Sequence, residues 1–116
     1  MRGVRQAYVH EAELVLAEGL DPAAVGAAVT IALCGSCDHE PPCRWPNNHD
    51  IDARPVPAVF RTLFVADPRD EPEIRERIEQ ALVEANEWEV RSMRARAVAS
   101  DEQELAARLL KTPLPA

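Results

Sequence analysis

Apolar and polar positions alternate from residue 7 to residue 18. Ala12, Leu14 and Leu16 fall on one side, Glu11 and Glu13 on the other, which is the period of a half-buried strand. Gly19 ends it, and the period then becomes helical. Asp21 reads as an N-cap with Pro22 in the first helical position. Val25, Ala28, Val29, Ala32 and Leu33 form the stripe of a helix over 22–34, widened by Ala27 and Ile31. No charge sits between Asp21 and Asp38, so this helix is expected to be buried on more than one side. Gly35 supplies the residue that stops it.

From Ser36 to Pro57 both periods vanish. Pro41, Pro42, Pro46, Pro55 and Pro57 argue for a loop. A structureless stretch of about twenty residues is rare in a small domain unless something orders it. Residues 58–66 read as a second strand, with Val59, Leu63 and Val65 on one face and Phe60 and Phe64 on the other, hence central in a sheet. Asp70-Glu-Pro-Glu73 opens the next helix as an acidic capping box. Ile74, Ile78, Ala81, Leu82 and Ala85 are its stripe, and its outer face carries pairs such as Glu73–Arg77. Residues 88–99 give a third strand, Met93, Ala95 and Ala97 alternating with Arg94 and Arg96. Ser100-Asp-Glu-Gln103 is a second capping box, for a helix to about Leu110, and 112–116 is a tail.

These elements predict one domain over 1–116, of the α/β class with α+β as the alternative: two layers, a three-stranded sheet, about three helices on one face, and the order βα-loop-βα-βα. Strand order stays open, and strand two runs parallel or antiparallel to strand one. Glu11 and Glu13 should pair with Arg94 and Arg96 if strands one and three are neighbours. A sheet covered on one face leaves the other bare, which predicts a homodimer unless the loop and Trp45 fold back over it.

Composition narrows the function classes. The chain of 116 residues is 47% hydrophobic but only 4% aromatic, so the core rests on Ala, Val, Leu and Ile. A net charge of −7 with a single lysine, Lys111, argues against a nucleic-acid partner and against anionic membrane. The N-terminal Met1-Arg-Gly-Val-Arg5 lacks the apolar core of a signal peptide and no span is long enough for a membrane. A cytoplasmic protein is the expectation. Three cysteines fit a reduced compartment and ligation better than a disulfide framework.

All three cysteines and two of the three histidines lie within residues 34–53, from the end of the first helix into the proline-rich stretch, spaced C-x2-C-x-H-x3-C-x5-H: Cys34, Cys37, His39, Cys43 and His49. Thiolate and imidazole are the donors zinc prefers, and four fill its tetrahedral shell. Four of the five are expected to bind Zn, the preferred set being Cys34, His39, Cys43 and His49 with Cys37 the substitute. The expected role is a non-catalytic binding or interaction module with a structural zinc. Two alternatives stand beside it. A small zinc-dependent hydrolase would keep an open metal position, with Asp38, Glu40, Asp50 or Asp52 as general base. A thiol redox or metal-sensing protein would use Cys34-Gly-Ser-Cys37, although a helix C-terminus opposes an acidified thiol at Cys34. Outside the stretch, His10 reads as a half-exposed sheet residue. Trp45 is expected to pack over the loop, and Trp88 to close the end of the second helix.

The residues Ala32-Leu-Cys-Gly35, His39-Glu40 and Pro42-Cys-Arg-Trp-Pro46 are similar to those of a family of small uncharacterised actinobacterial proteins, over most of the chain. The resemblance implies ligands at Cys34, His39 and Cys43. Relatives carry histidines where this chain has Ser36 and Asn47, so Cys37 and His49 would have to compensate. It implies no activity.

Overall fold

The computed structural model describes residues 4–35 and 44–113. The chain runs β1 (Gln6–Leu16), α1 (Ala23–Cys34), β2 (Asn47–Asp52), β3 (Ala58–Ala66), α2 (Glu71–Glu84), β4 (Trp88–Arg96) and α3 (Gln103–Leu110), with short 3-10 turns at Pro68–Asp70 and Ser100–Glu102. The sheet has four strands in the order β2-β3-β1-β4, and every pairing is antiparallel. This connectivity is the split β-α-β, ferredoxin-like arrangement with one further helix; such a fold carries no activity by itself. Of the two classes expected, the antiparallel sheet selects α+β. No helix among the described residues is long and apolar enough to cross a membrane.

The strand missing from the sequence reading is β2. It occupies 47–52, inside the stretch that reads as a loop, so the sheet has four strands and the element order is βα-ββα-βα where βα-loop-βα-βα was expected. Asn47-Asn-His-Asp-Ile-Asp52 is poor in strand formers. Its place is nevertheless fixed by β3, whose two apolar faces need neighbours on both edges. Asn47 pairs Phe64, His49 pairs Thr62 and Ile51 pairs Phe60.

The main core lies between the sheet and α1 with α2. Ala12, Leu14, Phe60 and Phe64 meet Val25, Val29 and Leu33 from α1 and Ile74, Ile78 and Leu82 from α2. Burying a Leu, Ile or Phe fully contributes about 1.5–3 kcal/mol each, so this cluster dominates stability. Asp21 caps α1 through Oδ1, which accepts from the Ala23 N–H at 3.0 Å. Gly35 ends the helix with φ 79° and returns its N–H to Ile31, a left-handed position suited to glycine. α1 is buried on its sheet and α2 sides only: Ile31 is 50% exposed, and Ala23 and Ala27 face solvent. Trp88 donates its indole N–H to the Leu82 carbonyl at 2.9 Å and so closes α2, as its position in the sequence suggested.

Two caps differ from expectation. Asp70 does not cap α2; its Oδ2 accepts from the Trp45 indole N–H at 3.3 Å. Asp67 instead opens the preceding turn by accepting from the Arg69 N–H at 2.9 Å. At α3 the box is shifted by one residue and only half forms: Glu102 Oε1 accepts from the Ala99 N–H at 2.9 Å, and an alanine has no side-chain acceptor to reciprocate.

The second face of the sheet is not bare. α3 lays Ala106 over Val9 and Leu63, with Leu109 and Val98 at the margin. Beside it runs a partly buried ionic network. Glu11 takes both Arg94 at 2.9 Å and Arg96 at 2.8 Å, while Glu13, also expected to pair with an arginine, accepts from the Ser92 hydroxyl at 2.8 Å. Arg96 continues to Glu102 at 2.8 Å, and Glu102 to Arg61 at 2.9 Å. A helix therefore lies against each face, and among the described residues the second face carries α3 and this ionic network where a bare face was expected.

Candidate metal-binding corner

The C-terminal end of α1 and the start of β2 meet at one corner. Cys34 is the last residue of α1 and half-buried. Asn47 opens β2 and points toward the helices, in register with Phe64. Its Nδ2 donates to Cys34 Sγ at 3.6 Å and to the Trp45 carbonyl at 2.8 Å. One side chain thus ties the residue just before the cysteine–histidine segment to the residues just after it. Trp45 is 4% exposed. It is pinned by Asp70 and lies beneath the guanidinium groups of Arg44 and Arg77, at 5.1 and 5.2 Å from its ring centre. Arg77 also donates to the Ala32 carbonyl in the last turn of α1 at 3.3 Å, where a cation is favoured. Trp45 therefore packs into the main core, and its expected packing over residues 36–43 lies outside the described residues.

Cys37, His39 and Cys43, with Asp38 and Glu40, lie outside the described residues. Cys34 is disulfide-bonded, whereas the odd cysteine count favoured a reduced thiol. Among the described residues no group of three or more His, Cys, Asp or Glu side chains is placed to hold a metal.

His49 stands on the helix-facing side of β2, and its two ring nitrogens are both engaged. Nε2 is 3.0 Å from Thr30 Oγ1 on α1, and Nδ1 is 2.9 Å from Thr62 Oγ1 on β3. The ring stacks on Phe60 with centres 5.7 Å apart. Gly26 makes room for it: a Cβ there would sit 3.2 Å from His49 Cβ. Burial, helped by Arg61, holds the imidazole neutral with a pKa lowered to about 4. A metal on His49 would have to displace one threonine hydroxyl from a packed interface.

The Thr62 position also faces His10 across β1. His10 is 3% exposed, not half-exposed as its place in the strand pattern suggested. Nδ1 accepts from Arg75 at 2.9 Å, which puts the proton of the neutral ring on Nε2. That nitrogen is 3.0 Å from Glu79 Oε2 yet out of line for a hydrogen bond. Burial, then Arg75, lower the pKa of His10 against the opposing pull of Glu79. Arg75 itself ties α2 to the Val9 carbonyl at 2.8 Å and lies over Tyr8 and Phe64.

Two of the four candidate bases for a hydrolase are turned away from Cys34. Asp50 and Asp52 alternate with His49 on β2 and register with Arg61 and Val59 on the other face. Asp52 is held by Arg54 at 2.9 Å, whose hydrogen bonds lower its pKa to about 2. Sequence reasoning missed Asn47, Thr30, Thr62 and Gly26. The resemblance marks position 47, but neither threonine carries a signal that precedes the fold. Comparison with protein-family models, curated proteins and solved structures gives no match to this chain.

Proposed function

We propose that the chain is a non-catalytic binding or interaction module whose corner is closed by a structural zinc on Cys34, Cys37, His39 and Cys43. The observation that supports this set is the Asn47 clip. It joins Cys34 to Trp45, so both stems of the ligand-bearing segment start from one fixed point, while His49 is committed to two threonines. The substitute ligand Cys37 then takes the place first given to His49. Bound zinc supplies closure of the shell, and its binding energy counts directly toward folding.

Metal analysis of protein purified under reducing conditions is expected to give about one zinc per chain. Cys34→Ser should lose it and His49→Gln should keep it. Asn47→His should keep or tighten it, because an imidazole there would stand beside the Cys34 sulfur. Zinc lost in His49→Gln and retained in Cys37→Ser would restore the other ligand set. Stoichiometric absence of metal from the wild type would remove the proposal.

The disulfide at Cys34 favours a second reading, a thiol redox module. Thiol titration of protein prepared without reductant separates the two. One titratable thiol and no zinc is the redox outcome; three thiols released on stripping zinc is the structural-metal outcome.

A further inference from the structure

The outer side of the two long helices carries a trough that borders the metal corner at Ala32 and Arg77. Its floor is made of small side chains, Ala28 and Ala32 from α1 against Ala81 and Ala85 from α2, and its volume is about 840 Å³. Ile31 stands at the rim, 50% exposed, on a helix that has no charged side chain over its whole length. The opposite wall is acidic. Arg77 on that wall is already engaged by Glu73 at 2.7 Å. Glu76 and Glu84 also line the trough, are exposed and have no ionic partner among the described residues. Eight residues of helix separate these two carboxylates by about 12 Å.

We infer that this trough is a docking site for a cationic amphipathic helix. The apolar stripe of such a helix would cover Ile31 and the alanine floor, as in other helix-in-groove complexes. Two of its Lys or Arg side chains, about two turns apart, would face Glu76 and Glu84. The charge pattern chooses this occupant over a second copy of the chain, which would bring the same unpaired glutamates and a net charge of −7 against them. The small floor residues let a partner backbone approach closely, and the α1 side offers no charge to desolvate.

The test uses a labelled synthetic 18-residue helix with leucines on one stripe and lysines flanking it two turns apart, titrated with the full chain by fluorescence anisotropy at 0.15 M salt. At that ionic strength distant charges are largely screened. Saturable binding is expected, weakened at least tenfold by Ile31→Asp and by the pair Glu76→Lys, Glu84→Lys. The pair Glu18→Lys, Glu104→Lys makes the same change of net charge elsewhere and should alter affinity less than twofold. Two outcomes would overturn the inference. One is equal binding of a scrambled peptide without the apolar stripe, or equal loss in the control pair, which would mean unspecific attraction. The other is a wild-type dimer in sedimentation that Ile31→Asp dissociates, which would assign the trough to a second copy.

Discussion

Glu102→Ala is expected to lower the free energy of unfolding by about 3–5 kcal/mol, the cost of stranding buried charge partners. The Glu102 residue is 8% exposed, and its carboxylate serves Arg61, Arg96 and the Ala99 N–H together. The Arg61 side chain is only 13% exposed; without Glu102 it keeps just the Asn48 oxygens. The double variant Arg61→Met, Glu102→Met should lose less than Glu102→Ala alone, since Arg96 retains Glu11 and no buried cation is left over. Hydrogen bonds from Arg96 hold the Glu102 carboxyl at about 2, far below its ordinary value. Its stabilisation is therefore complete above about pH 4.5 and fades as pH falls toward 2. Urea unfolding at pH 7 measures the loss, and an unchanged midpoint in Glu102→Ala would show that the network contributes nothing.

A second large effect lies at milder acidity. His49 in the unfolded chain binds a proton near pH 6.5, but in the fold only near pH 4. Above 6.5 the ring is neutral in both states and the fold loses nothing. Between 6.5 and 4 the unfolded chain takes up the proton first, so stability drops by roughly 3 kcal/mol and then levels off. His10 is shifted in the same direction and adds to the fall. The lowered carboxylates act only below about 4.5 and cannot account for it. Unfolding free energies from pH 7.5 to 4.5 should slope downward in the wild type and much less steeply in His49→Gln, where only His10 still contributes. Flat stability across that range in the wild type would contradict the buried neutral imidazole.

Most of the architecture was legible because it rests on side-chain period. Residues 58–66 alternate between two apolar faces and form β3 over that span; Ile74, Ile78 and Leu82 are buried as their spacing requires. The miss at β2 has a physical cause. An edge strand needs only one bonded neighbour and a thin apolar stripe, and here Ile51 alone supplies it. Two signals were present all the same: the prolines at 46 and 55 bracket an uninterrupted run, and β3 demanded a second neighbour. α3 was placed on the wrong side because an eight-residue helix can cover either face of a sheet whose central strand is apolar on both. Within the candidate site, Cys34 was legible from residue type and Asn47 only through the resemblance. For His49 the sequence could not show the hydroxyl partners on α1 and β3, distant along the chain, that compete with a metal for the same lone pairs.

His49, Thr62 and His10 stand in one line across three adjacent strands, and this line settles a choice that oil cannot make. Sliding β3 by two residues along either neighbour would leave Val, Leu and Phe on the faces they occupy now, so greasiness alone scarcely penalises the error. Such a slide would set each imidazole against a phenylalanine and break the bond between the His49 ring and the Thr62 hydroxyl inside the fold. The three polar side chains act as the notches of a key. They let the assembling sheet reject near-miss alignments that its hydrophobic surfaces would accept.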